Sequence, residues 1–170
     1  DISIDSLDVV WLCGEVVYDN LMKKMKQVFP NHTKLYNLYS ISEAPDVAIG
    51  DIRQFDTKVA GFNIFHPDFS YVIENQEIII TCSTVSTMGY YKSPEKNLET
   101  FDWNCQIPSL KSGDRAEIEN GILFLYGRTN FMKKIRGYSV QTEELENELE
   151  RLLQVSRAVI TYVDAKDSKT

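Results

Sequence analysis

Apolar and polar positions along this chain fall into three successive patterns. In the first, apolar residues come in short blocks separated by a helical stretch. Val9-Val10-Trp11-Leu12 predicts a buried strand that runs into a Cys13-Gly14-Glu15 turn. Asp19 or Asn20 can cap a helix in which Leu21, Met25 and Val28 share one face, and Pro30-Asn31 ends it. Lys34 to Tyr36 predicts a second strand, with Asn37 to Glu43 as the loop that follows. Strand, helix, strand in this order predicts a parallel α/β sheet, in which ligands bind at the carboxyl ends of the strands.

From Val59 the helical period disappears. Tyr71 to Ile73, Glu77 to Cys82 and Gly121 to Tyr126 read as short strands, with Glu74-Asn75-Gln76 a tight connection, and together predict a small antiparallel sheet or barrel. Met88 to Glu95 reads as a turn into a short helix that closes at Phe101, and Trp103 to Leu110 as an irregular connection. The third pattern starts at the polar corner Gly127-Arg128-Thr129-Asn130, followed by a basic turn ending at Gly137. Thr142 can cap a helix over Glu143 to Leu153 whose first turn is acidic and whose apolar stripe is Leu145, Leu149 and Leu152. Arg157 to Val163 predicts a strand, and the polar corner between two dissimilar halves predicts a hinge.

Composition narrows the function classes. The net charge of −7 over 170 residues argues against broad binding to nucleic acid or to anionic membranes, which depends on clustered Lys and Arg. No apolar run approaches the ~20 residues that span a bilayer. Cys13, Cys82 and Cys105 are odd in number and widely separated, so they predict neither a disulfide framework nor a zinc site, and a reducing, cytoplasmic setting is the default. His32 and His66 are the only histidines and lie far apart, which weakens any Ser/His or Cys/His catalytic reading.

The remaining chemistry rests on isolated polar residues, each with a bland counterpart. Glu43 ends a hydroxyl-rich loop and is either a magnesium ligand or a surface carboxylate. Asp114, in Lys111-Ser112-Gly113-Asp114, is either an acceptor for two ribose hydroxyls or part of a plain turn that Gly113 makes sharp. Arg128 pairs with a nucleotide or with a neighbouring acid. Tyr39 stacks on a base or packs in the core. Cys13 reads as a packed residue rather than a nucleophile, since no base is near it in sequence.

Taken in order, four segments resemble the adenylate-forming superfamily, specifically the amino-acid adenylation domains of nonribosomal peptide synthetases and the D-alanine carrier-protein ligases. Asn37-Leu38-Tyr39-Ser40-Ile41-Ser42-Glu43 resembles the family's Asn-x-Tyr-Gly-Pro-Thr-Glu, and Ser86 to Phe101 its Gly-Tyr…Pro-Glu…Phe segment. Lys111 to Asp114 resembles its Thr-Gly-Asp, and Gly127 to Glu146 its Gly-Arg-x-Asp-x-x-x-Lys-x-x-Gly followed by a Glu-rich helix start. The resemblance implies the C-terminal part of that α/β fold. Residues 1–129 would be the rear of the large subdomain, α/β over 1–58 and β-rich, with a small barrel-like part, over 59–129. Residues 130–170 would be the hinge and the start of the C-terminal α+β lid.

The implied activity is ATP- and Mg2+-dependent activation of a small amino acid or similar carboxylate as an acyl adenylate, then transfer to a phosphopantetheine thiol on a carrier protein. By position, Tyr39 would stack on adenine and Asn37 hold its amino group. Ser42 and Glu43 would face the phosphates and the metal, and Asp114 would take the ribose hydroxyls with Arg128 nearby. Cys13, Leu38, Asp46 and Val47 would line the substrate pocket, and Asn130 would be the hinge. Ser40 and Ile41 stand where the family has Gly and Pro, and Asn130 stands where it has Asp. These departures leave open a non-catalytic adenylation-like module that acts as a scaffold. The family's phosphate loop would lie upstream of residue 1 and its adenylation lysine downstream of residue 170, so the chain reads as a fragment.

Overall fold

The protein is described by a computed structural model that covers residues 3–83, 88–129, 132–135, 138–152 and 154–161. Asn130 falls outside the described residues. Contacts divide the chain into two compact units, Asp1–Thr129 and Asn130–Thr170.

In the first unit, β1 (Val9–Cys13) leads through α1 (Asp19–Val28) to β2 (Lys34–Ile41), and β3 (Ala44–Asp51) follows after a two-residue turn at Ser42-Glu43. β1 and β2 are parallel, from Val9 beside Lys34 to Cys13 beside Leu38, as the strand-helix-strand order predicts. β3 then returns antiparallel to β2, so the sheet is mixed. Most of the expected loop at 37–43 is strand, through Ile41, because Leu35, Asn37 and Tyr39 alternate with more exposed neighbours, the period of a half-buried strand. Their polar side chains disguised it.

α1 also turns a different face inward from the one expected. Met22 and Met25 are buried, whereas Leu21 and Val28 are 40% and 48% exposed. Met22 and Met25 pack with Val17, Leu35, Ile52, Phe55 and Ala60 into a core between the helix and the sheet. Burial at about 25 cal/mol per Å² of apolar surface is what holds so short a helix in place.

β4 (Gly61–Phe62) and β5 (Ile64–Phe65) carry the chain from one sheet to the next. β5 pairs with β3, while β4 pairs with β10 (Ile122–Arg128) of an antiparallel sheet. That sheet also contains β6 (Ser70–Glu74), β7 (Glu77–Thr81), β8 (Phe101–Asp102) and β9 (Ser109–Glu119), and α2 (Pro94–Thr100) lies between β7 and β8 in sequence. Its order is β4-β10-β9-β7-β6 with β8 on β9, an open sheet rather than a closed barrel. The two sheets touch closely at Gly50, where a Cβ would come within 1.8 Å of the Gly61 carbonyl oxygen. The atom it would meet belongs to the backbone and cannot swing aside, so only glycine fits. A second core, including Tyr39, Val47, Phe62, Ile78, Ile80, Leu110 and Leu123, fills the space around this junction.

In the second unit, β11 (Met132–Ile135) and β12 (Tyr138–Gln141) form an antiparallel pair where a basic turn was expected, and α3 (Thr142–Glu150) follows. The N-cap of α3 is Gln141, not Thr142, and it makes no side-chain capping bond. Leu145, Leu149 and Leu152 are exposed rather than forming a buried stripe. Of the strand expected over Arg157 to Val163, residues 157–161 belong to no sheet and 162–163 lie outside the described residues. Instead, the backbone N–H groups of Ala158 and Ile160 donate to the carboxylates of Glu150 and Glu146, so acid side chains take the place of a partner strand.

Candidate functional site

Gly113 interrupts the regularity of β9. Its φ of +76° is one that side chains disfavour, and pairing shifts on both flanks of the strand here, between Glu77 and Ile79 and between Leu125 and Arg128. Lys111 to Asp114 is therefore a bulged strand, not the expected turn. The bulge is held on several sides: Gly113 N–H donates to Glu77 Oε1 at 2.8 Å, Asp114 N–H to Ser112 Oγ at 2.9 Å, and Thr129 Oγ1 to the Gly113 carbonyl at 3.1 Å. Arg128, opposite Asp114 on β10, lies over the glycine, where a Cβ would come within 3.0 Å of Nη2. Glycine here gives both the backbone angle and room for the guanidinium.

The bulge brings three functional groups together. Arg128 Nη1 donates to Asp114 Oδ1 at 3.0 Å, and the Tyr39 hydroxyl donates to Oδ2 at 2.7 Å from the other sheet. Burial raises the Asp114 carboxyl above the ordinary carboxylate range, against the opposing pull of Tyr39 and Arg128. Burial, and after it the charge of Asp114, pushes the Tyr39 phenol well up, so it stays a donor. Arg128 is the open edge of this group, with its side chain 44% exposed against 11% for Asp114.

Tyr39 and Asn37 do not offer themselves to a base. Both are buried on the inner face of β2, and the Tyr39 ring packs in the second core, 5.9 Å from the Phe62 ring. The core alternative for Tyr39 is the one the packing favours. Its role here is to hold Asp114.

Ser42 and Glu43 form the turn between β2 and β3, Ser42 exposed and Glu43 partly so. Tyr90 reaches this turn and donates its hydroxyl to Glu43 Oε1. The Tyr90 phenol is raised by burial and then by Glu43, against smaller opposing effects of Thr100 and of the Arg128 charge. Sequence reading missed Tyr90 as a site residue. The available signal was Gly89-Tyr90 itself, a glycine before an aromatic in one of the four resembling segments.

The expected pocket residues are spread over β1, β2 and β3. Cys13 and Leu38 are side by side on paired strands, Cys13 being exposed. Val47 is fully buried in the second core, and Asp46 sits at φ +57° in an exposed bulge of β3 with its N–H donating to Ser40 Oγ at 3.1 Å. Val47 therefore faces packing rather than a ligand. The serine that replaces the family's glycine at position 40 has a structural use, as acceptor for that bulge.

No family model matches the chain. It is 31% identical over 165 residues to a D-alanine–D-alanyl carrier protein ligase of Staphylococcus epidermidis, covering 94% of this chain and 33% of the relative. It is 31% identical over 169 residues to the Staphylococcus aureus ligase of the same name, covering 95% of this chain and 34% of the relative. The chain thus spans about a third of the length of these curated relatives. Among solved structures it superposes on the Vibrio cholerae adenylation domain AlmE, in complex with glycyl-adenosine-5′-phosphate, with a TM-score of 0.64 and 22% identity over 86% of this chain and 31% of that one. On Klebsiella oxytoca NpsA, in complex with 3-hydroxyanthranilyl-AMSN, the TM-score is 0.66 at 19% identity, over 82% of this chain and 32% of that one.

The mixed sheet and the open antiparallel sheet superpose on these adenylation domains, so the chain has the fold of the C-terminal part of an adenylate-forming enzyme domain. The two sequence relatives named above are both D-alanine–D-alanyl carrier protein ligases.

Proposed function

We propose that this chain is part of an ATP-dependent, AMP-forming enzyme that activates a small amino acid and passes it to the phosphopantetheine thiol of a carrier protein. One observation carries the reading. The segments that begin at Asn37, Lys111 and Gly127 converge on Asp114, held by Tyr39 and Arg128, and the Ser86 to Phe101 segment reaches the end of the Asn37 segment through the bond from Tyr90 to Glu43. A carboxylate holds more acceptor sites than the two that Tyr39 and Arg128 use, so Asp114 retains capacity for ribose hydroxyls at its open edge. Arg128 then sits beside the nucleotide. Ser42, exposed in its turn, faces the phosphates, and Cys13 and Leu38 line the amino-acid pocket.

Among the described residues no group of three or more acids, cysteines or histidines gathers to hold a metal. Glu43 alone fits Mg2+, which binds through one or two carboxylates and otherwise through substrate phosphates and water. When bound, the ion would neutralise charge on those phosphates. The substrate carboxylate displaces pyrophosphate from the α-phosphate to give the acyl adenylate, and the thiol then displaces AMP. Residues 130–170 act as the start of a lid that turns about Asn130 between these two steps. No helix among the described residues is long and apolar enough to cross a membrane, and a cytoplasmic setting without nucleic-acid partners suits the acidic charge.

Amino-acid-dependent exchange of pyrophosphate into ATP by the full-length protein tests the reading, with D-alanine and glycine as the first substrates. Exchange that depends on one small amino acid is expected. Absence of both exchange and ATP binding overturns it in favour of a non-catalytic scaffold, a role that the buried Tyr39 and Asn37 would also suit.

A further inference from the structure

We propose that Tyr90 is a positioning residue for Glu43, and that α2 is the device that holds Tyr90 in place. The inference rests on the proposed role of Glu43 toward Mg2+ and extends it to residues that contact no ligand. The Tyr90 hydroxyl donates to Glu43 Oε1, which leaves Oε2 and fixes the plane of the carboxylate. A lone carboxylate in a two-residue turn has free rotation about its side-chain bonds, and a donor on one oxygen removes most of it.

Tyr90 is itself clamped. Its N–H donates to Asn97 Oδ1 at 2.6 Å, and Asn97 Nδ2 donates back to the Tyr90 carbonyl at 3.0 Å, so one amide side chain satisfies both backbone groups of one residue. Asn97 is fixed by α2, whose Pro94 sits in the first turn and whose last turn closes on Phe101. The ring is held on its faces as well, with Lys96 Nζ 4.3 Å from its centroid and the Phe101 ring at 5.5 Å. Gly89 completes the arrangement: its φ is +64°, and a Cβ would come within 2.7 Å of Asn97 Oδ1. Core packing alone does not call for a double amide clamp on a half-exposed tyrosine. A need to hold its hydroxyl over Glu43 does.

The test uses the full-length protein with a non-hydrolysable ATP analogue and Mn2+ in place of Mg2+, reading free Mn2+ by electron paramagnetic resonance. Tyr90→Phe keeps the ring and removes the donor. It is expected to weaken Mn2+ in the ternary complex about tenfold, the lower end of what loss of a partner to a metal ligand costs, with analogue affinity in the absence of metal and the melting temperature unchanged. Added to Glu43→Gln it should weaken Mn2+ no further. Asn97→Asp, which keeps the acceptor for the Tyr90 N–H but loses the returning donor, should give a smaller loss in the same direction and serves if Tyr90→Phe proves unstable. Wild-type Mn2+ affinity in Tyr90→Phe, with a loss in Glu43→Gln, overturns the positioning role alone. Wild-type affinity in Glu43→Gln overturns the metal role of Glu43 and the positioning role with it.

Discussion

The Asp114 carboxyl is the residue on which the site turns, because its partners come from both sheets. Tyr39→Phe removes the donor to Oδ2 and leaves a buried carboxylate oxygen short of a partner, so about 1–3 kcal/mol of stability should be lost in urea unfolding. A neutral result would mean that water or Ser112 takes over the bond. The raised titration of Asp114 has a definite sign. A folded carboxyl with a pKa above its unfolded value of about 3.9 contributes stability that is complete below that value and is lost as pH rises through the folded pKa. Wild type should therefore lose stability relative to Asp114→Asn as pH rises above the ordinary aspartate range. Parallel curves for the two proteins across that window would refute the raised pKa.

At the scale of elements, α1 and the junction of the sheets carry the clearest expectations. Met22→Ala should cost about 2–5 kcal/mol, the range for emptying a core site, whereas Leu21→Ala on the solvent side should stay within about 0.5 kcal/mol. Equal effects in thermal unfolding would restore the face that the spacing alone predicts. Gly50→Ala forces a Cβ against the Gly61 carbonyl with no flexible side chain to give way, so a loss of at least about 3 kcal/mol or insoluble protein is expected from solubility and circular dichroism. These elements also mark how far the sequence could be read. The β1-α1-β2 crossover was legible because Val9 to Leu12 and the run after Asp19 have distinct periods, and β7 and β10 were legible for the same reason. β3 was not anticipated and the end of β2 was mistaken for a loop, since Asn37, Tyr39 and Ser40 are polar residues used on a strand. The bulge at Gly113 was hidden because Gly-Asp reads as a turn whenever the strands on either side of it are unknown. Glu43 and Asp114 could be named as candidates, but the partners that hold them, Tyr90 for the first and Arg128 and Tyr39 for the second, lie 14 to 75 positions away.

For the whole molecule, the chain divides into Asp1–Thr129 and Asn130–Thr170, and the pivot proposed for the lid is Asn130, the first residue of the second unit. Asn130→Asp restores the charge that the family carries at that position. It should change the rates of adenylation and of thioester transfer unequally in the full-length protein, measured by pyrophosphate exchange and by loading of the carrier thiol. Equal changes, or none, would remove Asn130 from the lid mechanism. The bond between Tyr39 and Asp114 has a further consequence, in the order of folding. It closes a span of 75 residues, and so distant a contact gains nothing until the loop between its ends has been organised. During synthesis Tyr39 emerges long before Asp114 and Arg128, and its phenol has no acceptor until β9 has entered its sheet. A chain in which this bond has formed already has both sheets in place, so the same contact that shapes the site also reports that folding of the first unit is complete.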